Sequence, residues 1–199
     1  MGALMDTAFF LRWIAAVTER VRADRDHLTD LDRAIGDADH GANLDRGFTA
    51  VEEALAARPP ETPSDVLTTT GTTLIRKVGG ASGPLYGTLF RTLGRAVGDG
   101  PEVSQEALAE AFAQALAAVM KLGSAQEGDK TMIDALAPAV PELRTSFDAA
   151  ARAALDGARA TTPMRARKGR ASYLGDRSIG HQDPGATSTA LVIDALRAA

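Results

Sequence analysis

The sequence predicts an all-α protein organised as a single domain over residues 1–199. Three observations predict this class. Apolar residues recur at helical spacing through most of the chain, no stretch alternates like a strand over a useful length, and Gly and Pro interrupt the apolar stretches. The 199 residues, 45% of them hydrophobic, are enough to build a core, and no polar stretch is long enough to link two domains.

The apolar stripes give the helices in chain order. The first two follow the i, i+4, i+7, i+11 spacing that places side chains on one helix face. The stripes are Phe10, Ile14, Val17 and Val21; Leu44, Phe48, Val51 and Leu55; Leu67, Leu74 and Val78; Leu85, Leu89, Leu93 and Val97; Leu108, Phe112, Leu116 and Val119; Leu143, Phe147 and Leu155; and Leu191, Val192 and Leu196. We expect about seven or eight helices, separated by turns at 59–63, 79–84, 98–101 and 123–130.

Small residues define how these helices pack. About a fifth of the chain is Ala, whereas only 6 Phe, 2 Tyr and 1 Trp are present. Ala favours helices and allows them to approach closely. Pro84 and Pro184 each stand where a first helical residue is expected, because the missing N–H of proline costs nothing at that position.

Composition also excludes several classes of function. A formal charge of −4 argues against binding a nucleic-acid polymer through its phosphates, which usually needs a basic face. No apolar run approaches the roughly 20 residues of a membrane helix, so we expect no membrane association. The absence of Cys excludes disulfides and thiolate chemistry and fits a reducing compartment, so a cytoplasmic location is expected.

The first candidate site is acidic. Asp32, Asp37 and Asp39 lie within eight positions, and Gly36 and Gly41 bracket the last two of them. The bracketing glycines favour a tight loop, which can direct several carboxylates at one point. The cluster is therefore either a solvated run of charge or a site for Mg²⁺ or Ca²⁺, the cations that carboxylate oxygens select.

The spacing of the acidic residues excludes an EF-hand. A calcium loop that starts at Asp30 would place Ala34 at its fifth position and Gly41 at its twelfth, where oxygen ligands are required. Mg²⁺ commonly combines a few carboxylates with waters and substrate phosphates. A ligand that contains phosphate is the natural complement of such a cluster.

A glycine-rich turn at residues 79–83 is the second candidate. It precedes a predicted helix, so its N–H groups and the hydroxyl of Ser82 could bind an anion, although such a turn can also be purely structural. No Gly-Lys-Ser/Thr sequence closes it, and no strand precedes it. It is therefore neither a Walker A loop nor a Rossmann turn.

The third candidate combines a helix start with a basic segment. Asp183 is predicted to cap a helix that begins at Pro184. Upstream, residues 163–182 lack an apolar stripe and contain the main cationic stretch: Arg165, Arg167, Lys168, Arg170 and Arg177. This basic segment is either a solvated loop or a loop that folds over polyphosphate, whose oxygens match Arg.

Two of the three histidines adjoin these motifs. His40 follows the aspartates, and we expect it to form hydrogen bonds or contact a ligand. His181 precedes Asp183 and has a weaker claim to such a role, and His27 lies in a polar stretch and is expected to be exposed. No Ser-His-Asp order or paired Glu spacing indicates hydrolysis.

Four blocks of sequence together resemble one known family. They are LeuThrAspLeuAspArgAlaIleGlyAspAlaAspHisGlyAlaAsn at 28–43, ValGlyGlyAlaSerGlyProLeuTyrGlyThr at 78–88, GlyAspLysThrMetIleAspAla at 128–135, and residues 168–188, from LysGlyArgAlaSerTyr to AspProGlyAlaThrSer. In order and spacing they closely resemble the nucleotide-binding L subunit of bacterial dihydroxyacetone kinase. The resemblance covers essentially the whole chain.

The resemblance implies a fold and a set of site residues. The fold would be a barrel-like bundle of about eight antiparallel helices, with ADP or ATP and two Mg²⁺ at one end. Asp32, Asp37 and Asp39 match the metal ligands. The positions that match nucleotide contacts are His40, Gly41, Ala42, Asn43, Ala81, Ser82, Gly123, Met132, Arg170, Asp183, Pro184 and Gly185. Ala81 and Ser82 belong to the phosphate turn, Gly123 and Met132 to the adenosine side, and Arg170 with residues 183–185 to a lid.

The resemblance also implies an activity and partners. Because 199 residues leave no room for an acceptor domain, it implies a three-subunit kinase of the phosphotransferase-system type. A K subunit would hold dihydroxyacetone, an M subunit would rephosphorylate the bound ADP, and the product would be dihydroxyacetone phosphate. The family further suggests a homodimer. The acidic and basic segments are expected to meet in space around Mg²⁺ and polyphosphate, and no base for the acceptor hydroxyl is visible in the sequence.

Two other interpretations remain open. The chain could be an ATP-dependent relative that serves another small sugar or a hydroxy acid through a different acceptor subunit. It could also be a non-catalytic helical module that binds metal or nucleotide and regulates a partner. The acceptor substrate cannot be predicted, because the acceptor site is expected on another chain.

Overall fold

The structure, a computed structural model, describes residues 4–199. Nine α-helices account for most of this range and confirm the all-α prediction. They are α1 Thr7–Ala23, α2 Arg25–Ile35, α3 His40–Ala57, α4 Pro63–Lys77, α5 Ser82–Val97, α6 Gln105–Gly123, α7 Ile133–Glu142, α8 Phe147–Ala160 and α9 Pro184–Asp194. Two 3₁₀ helices span Arg170–Ser178 and Ala195–Ala198. No helix in the described range is long and apolar enough to cross a membrane.

The helices form a closed ring. Each helix from α2 to α8 packs against the next one in the chain, and α9 returns to contact α2. Helix α1 packs against α3, α4 and α9. Sequential neighbours joined by short turns give the barrel-like bundle that the sequence analysis expects. The turns at one end of the ring supply the candidate site.

Most of the few aromatic residues lie in the buried core of this bundle, whereas Tyr173 is 89% exposed. Trp13 is 0% exposed, and its indole N–H donates to the carbonyl oxygen of Val192 at 3.0 Å. Its ring centroid lies 5.6 Å from that of Phe90 and 5.9 Å from that of Phe112. Because a buried indole needs a hydrogen-bond partner, this contact ties α1 to α9 as well as filling the core. Alanines occupy helix–helix contacts around this core, as on α8.

Helix α8 shows how those contacts work. Its buried positions are Ala150, Ala151, Ala154 and Ala158. At Gly157, an added Cβ would lie 2.2 Å from the carbonyl oxygen of Asp134 on α7, so the two backbones meet at this glycine. Larger side chains on this face of α8 would push the helices apart.

The structure differs from the predicted elements in three details. Leu155 was predicted to lie on the buried stripe of α8, which is wrong: it is 42% exposed, because alanines form the inner face. Helix α5 begins at Ser82 rather than at Pro84. A two-residue antiparallel pair joins Met5–Asp6 to Glu102–Val103, and it is too short to show alternation in the sequence.

Substitution of Gly157 tests the close approach of α7 and α8. Gly157→Ala should lower the free energy of unfolding by about 1–3 kcal/mol, because overpacking outweighs the gain in helix propensity. Leu155→Ala on the same helix is the control and should change it by less than about 0.5 kcal/mol. Urea unfolding of the two variants measures both effects, and a Gly157→Ala protein more stable than the parent would contradict the packing.

Candidate functional site

Three carboxylates converge at the start of α3. Asp32 lies on α2, and Asp37 and Asp39 lie in the turn between α2 and α3. One oxygen from each carboxylate lies within 4.8 Å of the others. Asp32 is buried, whereas the other two carboxylates are exposed. The sequence prediction of a tight loop that directs carboxylates at one point therefore describes the observed geometry.

Backbone amides hold the buried member of this cluster. Oδ2 of Asp32 accepts from the N–H of Asp39 at 2.9 Å and from the N–H of His40 at 3.2 Å. These N–H groups belong to the N-terminus of α3, where the helix dipole also favours a negative charge. The hydrogen bonds fix Asp32 relative to the turn and leave the outer side of the cluster open.

The turn that carries the other two carboxylates is conformationally demanding. Ala38 adopts a φ of +62°, which turns the chain sharply between Asp37 and Asp39. At Gly36, an added Cβ would lie 2.0 Å from Oδ1 of Asp32. Any side chain at position 36 would therefore displace the Asp32 carboxylate from its place.

The basic segment reaches this cluster from the opposite side. A guanidinium nitrogen of Arg170 lies 2.9 Å from Oδ2 of Asp37. Both side chains are well exposed, so this pair contributes little to stability by itself. It does show that the acidic and basic segments meet in space, as the sequence analysis expects.

A cavity of about 560 Å³ extends inward from the cluster. This volume lies within the range of small-molecule sites. The predicted site residues that line it are Asp32, Asp37, Asp39, His40, Ala81, Ser82, Gly123, Met132, Arg170, Asp183, Pro184 and Gly185. The helix ends and turns that carry these residues are distant in sequence and converge at this end of the ring.

Three predicted residues lie outside the cavity lining. Gly41 faces α2, and an added Cβ there would lie 2.0 Å from the carbonyl oxygen of Arg25. Oδ1 of Asn43 accepts from Arg46 at 2.7 Å, and the Asn43 side chain lies beside Gly79. The assignment of Gly41, Ala42 and Asn43 as nucleotide contacts therefore stays a prediction, since none of the three lines the cavity.

His40 sits in a buried chain of hydrogen bonds. Its Nε2 lies 2.9 Å from Oγ of Ser188, and its Nδ1 lies 3.2 Å from Oγ of Ser82. The hydroxyl of Ser188 also lies 3.1 Å from the carbonyl oxygen of Gly185 and 2.7 Å from the hydroxyl of Tyr86. Burial lowers the pKa of His40, and the carboxylates of Asp32 and Asp39 oppose that shift. In the neutral ring one nitrogen donates and the other accepts, and a serine hydroxyl stands beside each of them.

This arrangement changes what the glycine-rich turn can offer. The hydroxyl of Ser82 is paired with Nδ1 of His40, so it already belongs to the buried chain of hydrogen bonds. Gly79, Gly80 and Ala81 line the cavity, and Gly80 has a φ of +64°. The backbone N–H groups of this turn, near the start of α5, would supply the main donors to an anion there.

Tyr86 and Lys130 are two of the polar lining residues that the sequence did not predict as site residues. The hydroxyl of Tyr86 contacts Oγ of Ser188 at 2.7 Å and Oγ1 of Thr189 at 2.9 Å, and burial raises its pKa to about 12. Lys130 also lines the cavity and is buried. Both residues lie inside the four sequence blocks that carry the family resemblance, and this was the one signal that could have found them. The spacing of apolar residues does not distinguish Tyr86 from other core residues or Lys130 from surface residues.

The lining has a polar part and an apolar part. Besides the aspartates, the polar part contains Lys168 and Arg170 from the basic segment. Of the remaining predicted basic residues, Arg165 lies 3.4 Å from Asp176 and Arg167 lies 3.9 Å from Asp129. The apolar part comes from α5, α6 and the loop before α7: Leu85, Val119, Leu122, Ala125, Met132 and Ile133. A ligand with an anionic end and a flat apolar end would match both parts.

Asp183 begins α9 at the cavity wall, as predicted. Its carboxylate accepts from the N–H of Ala186 at 2.7 Å, and its own N–H donates to Oγ1 of Thr161 at 2.9 Å. Burial raises the pKa of Asp183 to about 7, while the bond from Ala186 and the charge of Lys130 oppose this shift. His181, two residues earlier, is exposed and does not line the cavity, so its weaker claim to a ligand role finds no support.

The chain is similar to known proteins over most of its length. A family model described as the DAK2 domain matches residues 34–198. The ADP-binding subunit DhaL of the PEP-dependent dihydroxyacetone kinase of Escherichia coli is 43% identical over 196 residues, covering 94% of this chain and 93% of the relative. The corresponding subunit of kinase 1 of Listeria innocua is 44% identical, with 96% of each chain covered. A D-erythrulose kinase of Mycolicibacterium smegmatis is 37% identical, but only 32% of its length is covered.

Solved structures show the same fold. The dihydroxyacetone kinase of C. freundii in its native form aligns with a TM-score of 0.76 and 28% identity, over 98% of this chain. The same kinase in complex with AMP-PNP and Mg²⁺ aligns with a TM-score of 0.73 and 29% identity. This chain spans 35% and 34% of those two longer chains.

Gly36→Ala tests the packing of the carboxylate cluster. The new methyl group overlaps Oδ1 of Asp32, so the carboxylate must move and its bonds to the start of α3 are strained. We expect weaker binding of Mn²⁺, used as a spectroscopic substitute for Mg²⁺, by about tenfold or more. Gly100→Ala, at an exposed glycine whose added Cβ would lie 3.7 Å from its nearest neighbour, serves as the control for metal binding. Equal Mn²⁺ affinity in the parent and in Gly36→Ala would contradict the constraint.

The raised pKa of Asp183 predicts a pH dependence of stability. The unfolded carboxyl titrates near 3.8 and the folded one near 7, so the folded state binds more protons between these values. The contribution of Asp183 is complete below pH 3.8 and is lost as the pH rises through 7. Asp183→Asn keeps a capping side chain but cannot ionise.

Denaturant unfolding at several pH values measures this effect. The stability of the parent protein relative to Asp183→Asn should fall between about pH 4 and pH 7 and then level off. A difference that rises over this interval would show that the folded pKa is depressed instead.

Proposed function

The chain belongs to the DAK2-domain family, and on this premise we propose that it is the ADP-binding subunit of a dihydroxyacetone kinase supplied by the phosphotransferase system. Its relatives of matching length are subunits of dihydroxyacetone kinases, so its enzyme class is that of a phosphotransferase. The convergence of Asp32, Asp37 and Asp39 at one end of the cavity is the observation that carries the proposal. A cytoplasmic location accompanies the proposal.

The donor set fits Mg²⁺. All three residues offer carboxylate oxygens, the ligands that Mg²⁺ prefers, and two of the carboxylates are exposed and available to a hydrated ion. Among the described residues, Arg170 is the one cation within 4.0 Å of the cluster. The negative charge of three neighbouring carboxylates is therefore incompletely balanced, and we propose that the site takes two Mg²⁺ together with a nucleotide. The ions would supply neutralisation of charge on the transferred phosphoryl group.

The chain's own residues would hold the nucleotide by its phosphates. We assign phosphate binding to the N–H groups of the turn around Gly80 and Ala81, at the start of α5. Arg170 and Lys168 reach the same end of the cavity from the basic segment. An arginine fork suits phosphate oxygens and would exchange its present contact with Asp37 for one with the ligand.

The apolar part of the cavity would hold the base. Leu85 and Leu122 provide apolar surface. Gly123 leaves space beside Leu85, whose nearest carbon would lie 3.6 Å from a Cβ added at Gly123. Met132 adjoins Gly185 on the other side of the cavity. Its backbone N would lie 3.6 Å from a Cβ added at Gly185. Apolar contacts to a base depend little on hydrogen bonding, so they would give affinity rather than strict selection.

Activation of the acceptor is assigned to another subunit. Both ring nitrogens of His40 are occupied by Ser82 and Ser188, so this histidine is not free to take a proton from an alcohol. Phosphoryl transfer depends mainly on positioning and charge neutralisation, which this chain can provide for the donor. We therefore propose that a K subunit holds dihydroxyacetone and that an M subunit rephosphorylates the bound ADP.

One alternative acceptor has specific support. The D-erythrulose kinase of Mycolicibacterium smegmatis contains a region 37% identical to this chain. The donor site described above would serve a four-carbon ketose equally well, because nothing in it contacts the acceptor. The identity of the partner subunit would decide between the two.

Removal of charge at the cluster tests the metal-dependent part of the proposal. Asp37→Asn and Asp39→Asn should each weaken Mg²⁺-dependent ADP binding by at least about tenfold, because a neutral amide is a poorer Mg²⁺ ligand. Asp30→Asn is the matched control, since Asp30 is exposed and paired with Arg33. Calorimetric titration with ADP in Mg²⁺ and in EDTA measures the effect. Unchanged affinity in both cluster variants would contradict a metal role for them.

Reconstitution tests the division of labour. The purified chain with ATP, Mg²⁺ and dihydroxyacetone should produce no dihydroxyacetone phosphate. Addition of the K and M subunits with a phosphoenolpyruvate-driven phosphotransferase system should restore product formation with only catalytic amounts of ADP. Phosphorylation of dihydroxyacetone by the chain alone, at the rate of the full system, would overturn the proposal.

A further inference from the structure

Lys130 lines the cavity but has no free hydrogen for a ligand. Its side chain is 1% exposed. The ammonium donates to the carbonyl oxygens of Met164 at 3.1 Å and Ser178 at 2.7 Å, and also to that of His181. A lysine has three N–H donors, and all three are used here. Lys130 therefore cannot act as the phosphate-binding lysine that its place on the cavity wall would otherwise indicate.

The three acceptors lie at the two ends of the basic segment. Met164 stands where the segment leaves α8, and Ser178 and His181 stand where it returns to α9. Two further bonds join the same ends: the N–H of Ala166 donates to Oγ of Ser178 at 2.9 Å, and the N–H of Gly180 donates to the carbonyl oxygen of Thr162 at 2.8 Å. One ammonium thus closes the base of a loop that carries Arg170.

The backbone around Lys130 is itself fixed. Lys130 has a φ of +62°, a conformation that an L-residue adopts only when its surroundings enforce it. The buried carboxylate of Asp134 accepts from the N–H of Thr131 at 2.7 Å and from the N–H of Gly128. The carbonyl oxygen of Asp129 accepts from the N–H of Arg167 at 3.1 Å, which adds another link to the basic segment.

The loop that contains Lys130 also lines the apolar side of the cavity. Met132, two residues after Lys130, lies beside Gly185 and lines the apolar part. Lys130 therefore connects the cavity wall assigned to the nucleotide base with the basic segment. That segment brings Arg170 to within 2.9 Å of Asp37. Burial lowers the pKa of Lys130, and the nearby Asp183 opposes this shift and favours the charged form.

We propose that Lys130 is a positioning residue for the phosphotransfer site: its ammonium clamps the base of the basic segment and so holds Arg170 at the metal–phosphate end of the cavity. This inference rests on the proposed function, because it assigns Arg170 to the phosphates of a bound nucleotide. It predicts that the effect of Lys130 on nucleotide binding passes through Arg170. It also predicts that binding of a metal alone, at the aspartates, does not depend on Lys130.

A double-mutant cycle tests this coupling. Lys130→Met, Arg170→Ala and the double variant are titrated with ADP in Mg²⁺, and Lys121→Met on the exposed end of α6 is the matched control. We expect Lys130→Met to weaken ADP binding by about tenfold in the parent background and by less than about twofold in the Arg170→Ala background. Mn²⁺ affinity without nucleotide should stay at the parent value, and hydrogen exchange should accelerate at residues 165–180 only.

Each outcome decides the proposal. Additive losses in the cycle would show that Lys130 contacts the ligand directly or acts elsewhere, and would overturn it. Equal ADP affinity and equal exchange in Lys130→Met and the parent would overturn it as well. Lys130→Gln, which keeps two N–H donors, should give an intermediate loss, and failure of both variants to fold would make Lys130 a folding residue instead.

A failure of the proposed function can be distinguished from a failure of the role proposed for Lys130. If the parent chain binds Mn²⁺ but no ADP, the proposed function fails before Lys130 is tested. If the parent binds ADP and the cycle shows no coupling to Arg170, the function stands and the role of Lys130 alone is rejected.

Discussion

The hydrogen bonds from the start of α3 to the carboxylate of Asp32 are the interaction on which the site depends. Two backbone N–H groups, from Asp39 and His40, converge on one oxygen of this buried side chain. They join α2, the acidic turn and α3 in a single arrangement, and they stabilise a negative charge that burial would otherwise disfavour. The positions of Asp37, Asp39 and His40 all follow from this anchor, so the rest of the cavity is built against a fixed acidic end.

A rigid scaffold gives this arrangement its precision. The aromatic centre around Trp13 fills the core, and glycine and alanine contacts such as those of α8 bring the helices close together. Dense packing leaves few alternative positions for the helix ends. The turns at one end of the ring therefore present their backbone N–H groups and carboxylates without needing to rearrange, and the basic segment remains the part of the site built from irregular structure.

Much of this could be predicted from the sequence, and the reasons are local. The all-α fold follows from apolar spacing, and the cap at Asp183 follows from the Asp-Pro pair. The convergence of Asp37 and Asp39 follows from the glycines around them. Leu155 was misplaced because spacing alone cannot tell which face of an alanine-rich helix is buried.

The parts that escaped prediction depend on tertiary contacts. The role of Lys130 arises from carbonyl groups 34, 48 and 51 residues away in the chain, and no local pattern encodes such a meeting. The same is true of Tyr86, whose partners Ser188 and Thr189 lie on α9. Gly41 and Asn43 were matched to a nucleotide-contacting segment by resemblance; neither lines the cavity, and their role stays a prediction.

The central claim is that this chain holds a nucleotide as a resident cofactor, and the nucleotide content of the protein purified without added nucleotide tests it most directly. Mass spectrometry of the supernatant after denaturation identifies and quantifies what is released. The account predicts about one ADP per chain, and its loss after dialysis against EDTA, because the aspartates would hold it through Mg²⁺. A protein that releases no nucleotide, and that does not take up ADP when ADP and Mg²⁺ are supplied, would contradict it.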